Sequence, residues 1–353
     1  MKKIIYSLLV VIFGMAITSC SSLDEESQSV LPSDAIQFTG EILPSVMEDG
    51  SRAVINVNKA TQTYWELGDV MAVFATSGPQ QSQVEYVVSE LHEDPTKCKF
   101  LPGDYYFREG SEFASYFPLK KDYLRFTDDI PVGVQLDEQQ KVWTMKGQTQ
   151  IANNDASLQS QYLFMVCDPM INEDTNLFHF SYKRALSVVY TDFIVPKEGL
   201  WKSFTIQAPQ GCYFYEDGIK YNFCEGGLKT ANATPEQSIT LTLGENGAGI
   251  KATKESDGKY HLHLFMVICP TAMTGKDLPV YVTDDTDLLY GCTVSGKNSS
   301  GADRDFFATG ITYKLTGTLT SIEDSLPTGT MTGFEPEEDK SSAGGTITDF
   351  TEE

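Results

Sequence analysis

The sequence predicts an all-β protein of two tandem β-sandwich domains, and three observations predict it. Short runs rich in β-branched and aromatic residues, each bounded by Gly, Pro, Asp or Ser, recur from Ile36 to Leu319. No stretch of helical length carries a sustained 3.6-residue apolar period with caps. The 353 residues exceed one ordinary sandwich and suffice for two with proper cores.

The chain opens on Lys2 and Lys3, an apolar run from Ile4 to Ile17, and then Thr18-Ser19-Cys20. That order is a secretory signal. The run is short for a span of about 20 residues. Its aliphatic-small-small-Cys ending resembles the lipobox of bacterial lipoproteins, which implies cleavage between Ser19 and Cys20 and acylation of Cys20. Residues 1–19 are then the signal peptide and residues 20–52 a lipidated tether, polar and acid-rich at Ser21 to Asp34. Asp24-Glu25-Glu26 resembles the acidic export signals of surface-displayed lipoproteins.

Strands are expected at Ile36–Gly40, Ala53–Val57, Val70–Phe74, Val84–Val88, Phe113–Phe117 and Tyr162–Val166. The texture repeats at Leu186–Tyr190, Phe204–Gln207, Ile239–Leu243, Tyr260–Ile268, Val280–Thr283 and Ile311–Leu319. Turn signals between runs at this spacing mean sandwiches, not βαβ units. The polar stretch after Asp168-Pro169 divides the chain into sandwiches at 53–175 and 176–320. One hairpin is expected in detail, with Gly211–Glu216 and Ile219–Cys224 flanking the Asp217-Gly218 turn pair. Its two-residue loop sets Cys212 opposite Phe223, so no Cys212–Cys224 bridge is expected. Beyond Cys20 the six cysteines Cys98, Cys167, Cys212, Cys224, Cys269 and Cys292 read mostly as buried free thiols. Residues 321–353 carry nine acids against one lysine and read as an acidic flexible tail.

A net charge of −23 repels phosphate backbones, so no nucleic-acid partner is expected. It also argues that contact with anionic lipid comes through the acyl chains on Cys20 alone. His261 and His263 share one strand face, but with no acidic partner at ligand spacing they read as an exposed face rather than a metal site. Asp284-Asp285-Thr286-Asp287 lacks the spacing of an EF-hand loop and reads as solvated acids. Trp65, Trp143 and Trp201 read as core rather than a sugar platform. No G-x-S-x-G elbow, H-E-x-x-H helix or P-loop occurs. No catalytic residue, metal or cofactor is expected, and the chain does not read as an enzyme.

Four motifs lie in a fixed order behind the lipobox. Trp65-Glu66-Leu67-Gly68-Asp69-Val70-Met71-Ala72-Val73-Phe74 comes first, then Phe113-Ala114-Ser115-Tyr116-Phe117-Pro118. Phe178-His179-Phe180 with Arg184-Ala185-Leu186 follows, and Phe306 to Tyr313 closes the series. Together they resemble the fimbrillin-like (Mfa-like, type V pilin) surface lipoproteins of Gram-negative anaerobes over about residues 36–319. The resemblance implies two transthyretin-like sandwiches and a fimbrial subunit, or an accessory, tip or anchor adhesion protein, at the outer membrane. It implies cutting by an Arg-specific protease between Arg52 and Ala53, which would make 20–52 a pro-segment. Loss of the first strand would leave a groove for a strand from another subunit or a second copy. Arg52 is the only arginine before Arg108. The tail departs from this pattern, because Ile347 and Phe350 fall on opposite faces of a strand and make a poor donor. Ile311 to Leu319 could donate if displaced. A host or bacterial surface ligand is a further expected partner, and the rival reading is a non-polymerising surface lipoprotein that binds glycan or peptide.

Overall fold

The computed structural model describes residues 35–44, 46–47, 63–76, 82–110, 112–137, 142–171, 177–298 and 300–322. These residues are built from strands, with short 3-10 turns at Gln159–Tyr162 and Glu245–Gly247. No helix among them is long and apolar enough to cross a membrane.

The first half contains β1 (Gln37–Ile42), the two-residue β2 (Val46–Met47), β3 (Val70–Ala75), β4 (Val84–Leu91) and β5 (Lys97–Pro102). It continues through β6 (Glu112–Phe117), β7 (Met165–Ile171) and β8 (Leu177–Arg184). All but β2 join one sheet in the order β1-β8-β7-β6-β3-β4-β5, and β1 closes it by pairing with both β8 and β5. Alternating residues point inward, so Phe38, Met71, Val73, Tyr86, Phe100, Phe113 and Tyr182 fill one core.

Strands β3 and β6 break the usual apolar–polar alternation. Met71, Val73 and Phe113 face the enclosed core, while Ala72, Phe74, Ala114 and Tyr116 belong to a second core outside the sheet. That second core also takes in Ile130, Met145, Phe164, Val188, Tyr221 and Val267, and so ties the two halves together. A strand covered on both faces reads as a continuous apolar run. The Val70–Phe74 and Phe113–Phe117 motifs owe their texture to this position.

The second half begins after Ala185-Leu186. Its strands are β9 (Ser187–Val195), β10 (Leu200–Gln207), β11 (Ser238–Leu243), β12 (Thr253–Lys254), β13 (Tyr260–Leu262) and β14 (Phe265–Ile268). It ends with β15 (Leu278–Asp284), β16 (Leu289–Val294), β17 (Ile311–Thr318) and β18 (Thr320–Ser321). One sheet runs β2-β17-β9-β13-β12, with β14 also on β9, and the other runs β11-β10-β15-β16-β18, with Thr149–Gln150 paired beyond β11 and Ile250–Lys251 also on β10. Phe193, Leu262, Tyr313 and Leu315 from the first meet Trp201, Phe204, Val280 and Val282 from the second in one core. The all-β class is what the chain adopts.

Three local expectations are corrected. The hairpin across Asp217-Gly218 does not form, although Gly218 makes the turn at φ 73°. Phe214–Tyr215 pairs instead with Pro235–Glu236, and Lys220–Asn222 pairs with Gly227–Lys229 and with Ile130–Pro131. The arms part because Phe214 is drawn into the second-half core while Ile219, Tyr221 and Phe223 enter the core between the halves. Asp284 is not a solvated acid. It is fully buried, pairs with Lys197 at 2.7 Å, and accepts bonds from the Thr286 and Leu288 amides and the Thr286 hydroxyl. Burial alone would raise its pKa, but these bonds outweigh it and hold the carboxyl at about 2. The His261–His263 pair is not exposed, and it has acidic partners. Asp192 comes from neighbouring strand β9, and Glu255 and Asp257 from the β12–β13 turn.

The six described cysteines are unpaired; Cys98, Cys167 and Cys269 are buried, Cys212 and Cys292 half-buried, and Cys224 exposed.

Candidate functional site: the slot of the first strand

Ser19, Cys20, Arg52 and Ala53 lie outside the described residues, as do the strand expected at Ala53–Val57 and the tail positions Ile347 and Phe350. The part of the site that is described is β1 and its surroundings. β1 runs parallel to β8, with Phe38 opposite Phe178 and Gly40 opposite Phe180. It runs antiparallel to β5, with Phe38 opposite Phe100 and Gly40 opposite Cys98. Each end is fixed by a backbone bond, Ile36 N–H to Phe107 O at 2.9 Å and Leu43 N–H to Tyr182 O at 2.9 Å.

The inward row is Ile36, Phe38, Gly40 and Ile42, all buried. Phe38 makes edge contacts with Tyr86 at 4.9 Å and Phe113 at 5.1 Å, and stacks on Phe180 at 5.0 Å. Such aromatic packing adds to the area it buries. Gly40 marks where the slot is shallow. A Cβ there would lie 2.6 Å from Phe100 Cζ and 3.1 Å from Tyr182 Cε2. Both rings stand edge-on to Trp65, at 5.6 and 5.1 Å. The tryptophan of the Trp65–Phe74 motif therefore props the two rings that close the slot at Gly40. It is core, as is Trp201. Trp143 is half-buried, with the Lys120 ammonium 3.9 Å from its ring centre.

The outward row is polar. Thr39 Oγ1 lies 2.9 Å from His179 Nδ1, and Glu41 faces His179 at 3.7 Å and Lys97 at 3.9 Å. The Cys98 thiol and the Tyr86 and Tyr182 phenols that line the slot are neutral groups, and burial pushes each still further above its ordinary pKa. The arrangement holds β1 by main-chain ladders on both edges and by an inward row of apolar, apolar, glycine, apolar.

The same pattern recurs in the chain. Ile36-Gln37-Phe38-Thr39-Gly40-Glu41-Ile42 and Tyr313-Lys314-Leu315-Thr316-Gly317-Thr318-Leu319 share apolar residues at the first, third and seventh positions and Thr-Gly at the fourth and fifth. Tyr313, Leu315 and Leu319 are buried, and a Cβ on Gly317 would lie 2.7 Å from Cys292 Sγ. Sequence reasoning found both strands but missed their common template. The signal was the Thr-Gly pair within an alternating apolar row.

No family model matches the chain, and no curated protein matches it. Among solved structures it is similar to a candidate cell adhesion protein of Bacteroides uniformis, at 14% identity and a TM-score of 0.47, over 82% of this chain and 96% of that one. A candidate cell adhesion protein of Bacteroides ovatus aligns at 13% identity and a TM-score of 0.47, over 81% and 95%. The tip fimbrial protein Mfa3 of Porphyromonas gingivalis aligns at 10% identity and a TM-score of 0.30, over 76% and 85%.

Proposed function

We propose that the chain is a two-domain surface lipoprotein, delivered to the outer membrane on the lipid of Cys20 and freed from that anchor when it is cut after Arg52. On this reading it serves as a fimbrial subunit, or an accessory, tip or anchor adhesion protein, that assembles by β-strand exchange. The observation that carries the reading is β1, a strand that closes a sheet and matches a second strand of the same chain. Burial of Ile36, Phe38 and Ile42 stabilises by about 1.5–3 kcal/mol each. Their sum is comparable to the lower end of the roughly 5–15 kcal/mol that holds a domain folded. A first half without β1 therefore needs a replacement strand.

Both β1 and β2 precede Arg52 in sequence. β2 pairs with the start of β17, Val46 opposite Ile311 and Met47 opposite Thr312. One cut after Arg52 would thus release the occupant of the slot and also uncover the outer edge of β17. Strand β17 is the donor this reading favours, entering the vacated slot of a second copy with Leu315 at the Phe38 position and Gly317 at the Gly40 position. The test is digestion of the folded chain with an Arg-specific protease. N-terminal sequencing should return Ala53, and electron microscopy should show multimers. Digestion that leaves β1 in place, or cleaved chains that persist as folded monomers, would overturn the reading.

A further inference from the structure

The second half carries a cluster that the strand-exchange reading does not use. His261 and His263 stack with ring centres 6.0 Å apart and 18° between planes. Their side chains are only 10% and 12% exposed. Each outer nitrogen meets a carboxylate: His263 Nε2 lies 2.7 Å from Glu255 Oε1, and His261 Nε2 lies 3.3 Å from Asp257. Both inner nitrogens turn to one oxygen. His261 Nδ1 is 2.7 Å and His263 Nδ1 3.9 Å from Asp192 Oδ1. One donor atom from each of Asp192, His261 and His263 lies within 4.8 Å of the others.

We propose that Asp192, His261 and His263 form a binding site for one first-row divalent metal ion of the Zn²⁺ class, with an open fourth position. The donor set is two imidazoles and a carboxylate, without sulfur, which suits Zn²⁺ and its neighbours. Donors around a tetrahedral ion with bonds of 2.0–2.1 Å stand about 3.3 Å apart. The observed 2.7 and 3.9 Å bracket that separation, so modest side-chain rotation suffices. The outer shell is already built, because metal-bound histidines characteristically give their second N–H to a carboxylate, which fixes ring and tautomer. Glu255 and Asp257 do this for the two rings. The Tyr190 hydroxyl lies 2.8 Å from His263 Nδ1, one of the proposed ligand atoms, and would turn aside when the ion binds.

Asp192, Glu255 and Asp257 place three carboxylates around two imidazoles, against the Lys314 ammonium 3.2 Å from Asp192 Oδ2. That local excess of negative charge favours a dication. The ion would staple β9 to the β12–β13 hairpin. Only the fold brings these groups together, since Asp192 is 69 residues from His261.

The test is titration of the full-length chain with Zn²⁺ against a chromogenic chelator. The expected result is one equivalent bound per chain. Affinity should fall at least tenfold in His261→Asn and in His263→Asn, and by about tenfold or more in Glu255→Gln, which touches only the outer shell. A variant lacking the two other histidines, His92→Asn with His179→Asn, should bind as the parent does. Because His261 and His263 also bond within the sheet, Co²⁺ loading of the unaltered chain provides a second readout. Visible d–d bands of a four-coordinate N/O site are expected, and Zn²⁺ should displace them. Absence of saturable binding, absence of those bands, or unchanged affinity in both histidine variants would overturn the proposal.

Discussion

Strands β1 and β17 carry one template in two settings, and the difference between them is instructive. Both run parallel to a neighbour, β1 to β8 and β17 to β9. β1 is also paired along its other edge, over Phe38 to Glu41, with β5. Among the described residues β17 has only the two-residue β2 on that side, at Ile311 and Thr312. The glycines differ too. Gly40 is closed in by two rings braced on Trp65, whereas at Gly317 the Cys292 thiol alone is too close for a Cβ and the Phe193 ring stands at an ordinary 3.7 Å. On the proposed reading, an enclosed strand suits a slot that must be specific, and a strand that the described residues pair at only one end of its second edge suits a segment that leaves its own sheet. Free strand edges are ready templates for pairing with another chain.

The most severe way to break the comparison is to begin the chain at Ala53. The first half should then lose cooperative unfolding, as read by urea titration, and a synthetic peptide spanning Ile36 to Leu43 should restore it. Phe38→Ala should cost about 3–5 kcal/mol, because it empties an aromatic site that the surrounding sheet cannot collapse to fill. Gly40→Ala should cost about 1–3 kcal/mol by overpacking against Phe100 and Tyr182. Gly317→Ala should cost less than Gly40→Ala in parallel melts, since the Cys292 side chain alone must yield. Equal costs at the two glycines would remove the distinction between slot and donor.

The smallest effect concerns Lys120, buried beside the core between the halves. Its ammonium donates to Gly133 O at 2.9 Å and lies over Trp143. Burial pushes its pKa down from the ordinary lysine value to about 7. The folded chain therefore releases this proton near neutrality, while the unfolded chain holds it to about pH 10.4. Between these values the unfolded chain binds more protons, so stability rises with pH. From pH 7 to 8 the parent should gain up to about 1.4 kcal/mol relative to Lys120→Met. A difference that is flat with pH would show the ammonium to be solvated.

Much of the fold was legible because short β-branched runs bounded by turn residues are a local signal. The runs at Val70, Val84, Phe113, Phe204, Ile239 and Val280 all became strands. Strand β5 was missed because Lys97-Cys98-Lys99-Phe100 alternates polar with buried residues but contains no β-branched residue, and the strands were sought as β-branched and aromatic runs. Tyr260–Ile268 was read as one strand but is interrupted at His263-Leu264, where the Leu264 amide bonds Thr191 Oγ1 at 3.0 Å. The turn at Asp217-Gly218 was legible, yet its hairpin was not realised, because turn chemistry fixes a reversal and not what each arm pairs with. Asp192 was invisible for the same reason, being supplied from β9, whereas Glu255 and Asp257 stood close by in the sequence and only the turn that aims them at the rings was hidden. For the slot, the enclosing pairs were hidden in the fold, while the alternating apolar row and Thr-Gly of β1 stood in the sequence throughout.

The most direct test of the central claim is hydrogen exchange at the backbone amides of Lys97–Pro102 and Leu177–Arg184, the two edges that hold β1. They should be protected in the intact chain, lose protection in the cleaved chain once residues 1–52 have been removed, and regain it in the multimers that form. Full protection of both edges in a cleaved monomer lacking residues 1–52 would contradict the account.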